Sequence, residues 1–430
     1  MKFYTIIKVV LISLIITSCN TTENKITNAK DYNIYLDQYQ NNLVDAASKR
    51  LQFWNSKIKE DSLQITALLP AAEAYSQLFK STGAVQHLKK AEIALRKSSD
   101  VAVVGRSGHL LALARNYISQ HRFKEAKKAA IEAYSLKTST KAAEMVLFDV
   151  AMELGEYESA EKYLESLVNH SDFNFLIRLA KWNDYKGNLD ATIRNMEKAK
   201  KIAESSKKPS LILWSYTNLA DYYGHAGRIK ESYDHYLKAL AIDPSNAYAK
   251  KGIAWIVYSY ENNPEEAMRI LDITTKSYHS PDYFLLKAEI AEFQKKEIIK
   301  NVNLKRYQVA VENEAYGSMY HTHTALLMAE EHQAFDKALE IAEEEIQNRP
   351  TPQSYDLKAY ILYLKGEHKK ALDIAEKYIV NKTFEPMVNL HIAQIYKANN
   401  LQVKAKPIIG ELMESSFELG PVTSQKIMNL

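Results

Sequence analysis

The sequence predicts an all-α fold, a solenoid of about ten stacked helical hairpins. Three observations carry this expectation. Only 12 Gly and 10 Pro occur among 430 residues, leaving few of the tight connections that a β-sandwich or an α/β sheet needs. Apolar residues make up 46% of the chain, enough for a core and too many for a disordered polymer. Small and large apolar residues also return in one register about every 34 residues, a period that marks a helical repeat array.

The chain opens with Lys2 and Lys8, an apolar run over residues 9–16, then Thr17, Ser18 and Cys19, the one cysteine in the sequence. A run this short falls below the roughly 20 residues that span a bilayer and reads as a removable targeting segment. Ile16, Thr17, Ser18 and Cys19 resemble the bacterial lipobox. That resemblance implies cleavage before Cys19, lipid on its thiol, and a place in the bacterial cell envelope, outer membrane favoured over inner. The mature chain would then keep no free thiol and no disulfide, which suits an oxidising compartment. Residues 1–18 are thus expected as signal peptide and 19–35 as a polar tether. Residues 36–62 follow as a capping helix, 63–418 as the array, and 419–430 as a terminal cap or tail.

Within the array the clearest unit is LWSYTNLADYYGHAGRIKESYDHYLKALAIDP, residues 213–244. Ala220 and Ser232 are small and let two antiparallel helices approach, while Leu219, Tyr223 and Tyr236 fill the space between them. Gly227 sits where the turn needs positive φ. This spacing resembles the tetratricopeptide repeat. The register recurs through Ala114 and Ala126, Gly155 and Ala160, Ala180 and Gly187, Ala338 and Ala342, Gly366 and Ala371, and Ala393 and Ala405. Ten unit starts follow, at residues 69, 107, 141, 173, 213, 248, 281, 319, 352 and 386. The resemblance implies a right-handed superhelix with a concave groove lined by the first helix of each hairpin.

Three places depart from the pattern. Lys300 stands where a small residue belongs, Pro407 falls inside the last second helix and is expected to kink or interrupt it, and AESSKKPS (residues 203–210) lengthens one repeat into an expected loop. In tetratricopeptide proteins ligands usually lie on the concave face. By that resemblance the binding residues are Lys181, Tyr185, Trp214, Asp221, His225, Tyr260, Tyr320, His323, Tyr360 and Tyr363. The stripe is aromatic and mixed in charge, unlike the carboxylate clamp that binds chaperone C-termini, so that ligand is not carried over.

No catalytic constellation accompanies the repeats. GRSGH (residues 105–109) lacks the spacing of a phosphate loop and falls at an inter-repeat turn. SKIK and SSKK match SxxK without the companion motifs of that chemistry. His321 and His323 point to different sides of a helix and His332 lies beyond them, so neither a metal nor a cofactor is expected. A formal charge of +4 gives the chain no general attraction to nucleic acid. Charge is uneven, with six basic and three acidic residues over 287–306 and seven acidic and one basic over 330–345. The expected function is a non-enzymatic, lipid-anchored scaffold for a protein or peptide partner in the envelope. An accessory lipoprotein activating a cell-wall or glycan-processing enzyme, or a divergent glycan-binding lipoprotein, stays open beside it.

Overall fold

The computed structural model describes residues 25–36, 42–58 and 64–430, and among them no strand occurs. Cys19 lies outside the described residues. Two helices precede the array, α1 (Ala29–Leu36) and α2 (Asn42–Asn55). Five hairpins follow: α3–α4 (Ile65–Thr82, Val85–Val101), α5–α6 (Arg106–Ser119, Phe123–Ser135), α7–α8 (Thr140–Glu153, Tyr157–Ser166), α9–α10 (Phe173–Tyr185, Leu189–Ser206) and α11–α12 (Pro209–His225, Ile229–Ile242). Five more complete the array: α13–α14 (Ala247–Trp255, Pro264–Thr274), α15–α16 (Asp282–Phe293, Glu297–Val311), α17–α18 (His321–Glu330, Phe335–Asn348), α19–α20 (Pro352–Leu364, His368–Tyr378) and α21–α22 (Pro386–Ala398, Gln402–Leu412). The last helix is α23 (Ser416–Met428). The first helices of the ten hairpins begin within four residues of the expected starts.

Each hairpin is closed by the same device. One residue per turn takes positive φ: Gly83, His121, Gly155, Gly187, Gly227, Asn262, Lys295, Gln333, Gly366 and Asn400. In most turns the following N–H reaches back five residues, as Asn188 does to Asn183 and Arg228 to Tyr223, each at 2.8 Å. This is the Schellman closure, and it satisfies carbonyls that the ending helix leaves free. Five of the ten residues are not glycine, so the conformation there is held by packing rather than by backbone freedom.

Small residues then set how closely the two helices approach. Ala91, Ala126, Ala160, Thr192, Ser232, Ala267, Ala338, Ala371 and Ala405 are all buried at the equivalent point of the second helix. The exception is Lys300, whose ammonium lies 3.0 Å from Glu292 and 2.8 Å from Glu331 with its side chain 13% exposed. A long stem and two carboxylates replace a methyl group there, and burial, which lowers its pKa, is outweighed by the two acids.

Two expectations about local structure are corrected. AESSKKPS is not a loop: α10 runs to Ser206, Lys207 caps it with φ +55°, and Pro209 opens α11. Proline suits the first helical turn, where its missing N–H has no partner to lose. Pro407 lies inside α22 and does not interrupt it, the helix running on to Leu412. The stretch expected as a tether differs as well, since residues 25–36 are pinned to the middle of the array. The N–H groups of Ile26 and Thr27 donate to Glu261 Oε1 at 2.8 and 2.6 Å, and the Thr27 hydroxyl donates to Oε2 at 2.9 Å. Tyr32 then donates to Glu266 at 2.7 Å, placing α1 over α12 and α14.

The hairpins wind so tightly that successive turns of the superhelix touch. Gly83 meets the backbone of His279 and Ser280, Gly155 meets Pro350, Gly187 meets the ring of Phe384, and Gly224 meets Phe417. In the first three cases an early hairpin turn docks on a connection lying between much later hairpins, and in the fourth the end of α11 docks on the start of α23. The helix α23 continues this seam across the ends of α11, α13 and α15: Trp255 Nε1 and Ser259 Oγ both donate to the Phe417 carbonyl, at 3.1 and 2.7 Å.

Candidate functional site

The seam leaves a cavity of about 520 Å³ between the ends of α7, α9 and α11 on one side and the connections leading into α19, α21 and α23 on the other. Three of the expected concave residues, Lys181, Tyr185 and His225, line it. A second cavity of about 220 Å³ adjoins it through His225 and Glu418 and holds Asp221, Tyr248 and Trp255.

One wall is built on α7 and α9. Lys181 Nζ lies 2.8 Å from Glu153 Oε1, and Arg349 approaches the other oxygen of Glu153 at 3.6 Å. Burial alone would raise Glu153, but Lys181 and Arg349 outweigh it and hold its carboxyl below the usual range. Burial likewise opposes the charge on Lys181, and Glu153 with Asp149 overcomes it, so the ammonium stays charged. The rings of Tyr157 and Tyr185 stack at 4.0 Å beside this pair, and Lys186 lies over Trp182 at 4.7 Å.

The other end of the cavity is acidic. His225 Nδ1 lies 3.5 Å from Glu418 Oε2, and Asp184 and Glu385 act on the same imidazole. Burial pushes all three carboxyls up, with repulsion between Glu385 and Glu418 adding to it at Glu385. Next door burial also raises Asp221, although the hydroxyls of Tyr236 and Tyr248 donate to it and oppose the shift. Four carboxyls around one imidazole make this end of the groove a site for positive charge and a poor one for phosphate.

The other expected residues lie elsewhere. Trp214 meets Phe173 edge-on at 5.9 Å. Tyr260 belongs to the π-helical segment Ile256–Tyr260, in which the Val257 carbonyl accepts from Asn263. One extra residue in that turn rotates Tyr260 about 100° from α-helical register. Tyr320 pairs with Ser280 at 3.1 Å and lies edge-on to Tyr316, with His323 beyond it. Tyr360 is buried between hairpins, its ring 3.6 Å from that of His391 and its hydroxyl donating to Glu330, and Tyr363 stacks on it. Of the three histidines considered for metal, His321 lies 4.0 Å from Glu344 and His332 pairs with Gln308.

Sequence reasoning missed Glu153, Tyr157, Asp184, Arg349, Glu385 and Glu418, because turn ends and connections reach the groove only through the winding. One signal was present. Phe384-Glu385 and Phe417-Glu418 recur one repeat apart, and in both the ring packs on an opposing glycine while the carboxylate turns to the cavity.

The repeated array of helical hairpins defines a helical-repeat solenoid. Residues 215–246, the core of α11–α12, match the tetratricopeptide repeat family model. No curated protein matches the sequence. Similar helical arrays exist among solved structures. A tetratricopeptide repeat protein from Parabacteroides merdae is 16% identical, covering 62% of this chain and 93% of that one, with a TM-score of 0.39. Human IFIT1, solved as a dimer with m7Gppp-AAAA, is 15% identical over 77% of this chain and 75% of its own, TM-score 0.47. Yeast Tom70 is 13% identical over 85% and 88%, TM-score 0.38. At these identities none of them lends its ligand to this chain.

Proposed function

We propose that this protein is a lipid-anchored scaffold of the bacterial cell envelope that holds a segment of a partner protein in the seam cavity. The observation that carries the reading is the convergence of Lys181, Tyr185 and His225 on one open cavity of about 520 Å³. That volume suits a few residues of an extended segment, not a whole helix. Its acidic end favours a partner presenting a lysine, an arginine or a free amino terminus, held by charge and by the stacked tyrosines. The anchor rests on the residues before and at Cys19, and the outer membrane is the favoured address.

Two measurements test this. A photo-crosslinking residue placed at Tyr185 is expected to capture a discrete envelope protein, while the same residue at Trp214 captures less of it. Labelled palmitate is expected to enter the wild type and not Cys19→Ala. Capture at both positions alike would remove the seam cavity as the binding site, and label persisting in Cys19→Ala would remove the anchor.

A further inference from the structure

We propose that the outer face of α16, beside α14, is a second membrane contact that rests on the anionic surface of the bilayer holding the anchor. The inference builds on the reading of Cys19 as the lipidated residue. From Ile26 onward the chain is fixed, because Glu261 accepts from the Ile26 and Thr27 backbone and from the Thr27 hydroxyl. Arg269 donates to Asn33 at 2.5 Å and bridges to Glu266, which holds α1 against α14. Seven Cα steps separate Cys19 from Ile26, and seven fully extended residues reach at most about 25 Å. A lipid on Cys19 therefore brings the flank of the array around α12 and α14, beside α16, close to the headgroups.

The flank has the chemistry for it. On α16 the side chains of Ile298, Val302 and Val309 are 82%, 45% and 54% exposed. Their spacing of four and seven places them on one stripe of the helix. Only Asn303 and Tyr307 of this helix are buried, so the stripe is apolar surface that the array itself does not use. Lys295, Lys296, Lys305 and Arg306 flank it and are exposed, with Glu297 at one end of the helix and Glu312 at the other as exposed acids. Apolar side chains bordered by cations fit an anionic headgroup layer. A cleft of about 410 Å³ runs between α14 and α16, lined by Met268, Ile298, Ile299 and Val302. The carboxylates on its far wall are already engaged, Glu265 by Gln294 at 2.8 Å and Asp272 by Lys287 at 2.8 Å.

The test supplies the anchor chemically, so that it does not depend on what the cell attaches. The mature chain is captured through Cys19 on maleimide-lipid vesicles of phosphatidylglycerol and phosphatidylcholine, and amide hydrogen exchange is compared with the free protein. Residues 295–309 are expected to exchange at least about threefold more slowly on the vesicles, with α22 unchanged. The slowing is expected to vanish in Ile298→Glu/Val302→Glu, whose sites are exposed and leave the fold intact, and on vesicles of phosphatidylcholine alone. Unchanged exchange over 295–309, or slowing that survives the double substitution, overturns the proposal. Palmitate labelling of Cys19 in cells reads the anchor separately.

Discussion

The backbone N–H of His279 donates to the carbonyl of Thr82 at 2.8 Å, joining residues about 200 positions apart and tying one superhelical turn to the next. Beside this bond a Cβ on Gly83, at φ +69°, would come within 2.9 Å of the Ser280 nitrogen. Backbone cannot step aside as a side chain can. Gly83→Ala is therefore expected to destabilise by about 2–3 kcal/mol, of which left-handed φ supplies about 1–2. Gly227→Ala is the control, since φ is +68° but nothing lies within 4 Å of the added carbon. Its cost should stay near the φ contribution alone, and urea midpoints of the two variants check the difference.

Solenoids whose repeats touch only their neighbours unfold in pieces. Here four seam contacts cross-link early and late hairpins, so tryptophan fluorescence and helical circular dichroism are expected to report one coincident transition. In Gly83→Ala/Gly187→Ala the seam is strained at two points, since a Cβ on Gly187 would lie 2.7 Å from the Phe384 ring. The two probes should then separate.

Glu289 carries a pH dependence. Burial pushes its carboxyl up to about 7 from an ordinary 4.5, with Glu292 adding repulsion and the Tyr258 hydroxyl opposing the shift. A folded pKa above the unfolded one means that the native state holds the extra proton. Stability should therefore fall as pH rises from about 4.5 through 7, by at most about 3 kcal/mol from this group. Glu289→Gln keeps the hydrogen-bonding shape without the titration. The difference in thermal midpoint between variant and wild type should widen over that window and then level off.

His391 Nδ1 and Asp356 Oδ2 pair at 2.8 Å with both side chains buried. Burial raises Asp356, opposed by His391, and its Oδ1 has no hydrogen-bond partner. Removing the imidazole would leave the whole carboxyl unpaired and open a gap under Tyr360. His391→Ala is expected to lower stability by about 3–5 kcal/mol, whereas Asp356→Asn/His391→Gln, which can keep a neutral hydrogen bond, should recover part of it. Guanidinium unfolding measures both.

Much of the fold was legible because each hairpin needs a small residue in its second helix, and Ala126, Ala160, Ser232, Ala338, Ala371 and Ala405 stand at that position in the sequence. The turns were half legible. Gly155, Gly187, Gly227 and Gly366 announce positive φ, while His121, Lys295 and Gln333 adopt it without any local sign. Of the candidate site, Lys181, Tyr185 and His225 followed from repeat register. The residues facing them did not, because register describes one hairpin and its neighbours, whereas Arg349, Glu385 and Glu418 arrive from the next turn of the superhelix.

The meeting of Gly187 with Phe384 and of Gly224 with Phe417 also limits how such a chain can evolve. An open solenoid can gain or lose an internal unit and simply grow longer or shorter. Here a unit duplicated between Gly224 and Phe384 would slide every later connection past its glycine. Phe384 would then face another turn, and the two halves of the cavity would no longer belong to the same pocket. Copy number is thus part of the cavity's specification, and length can vary freely only beyond the ends.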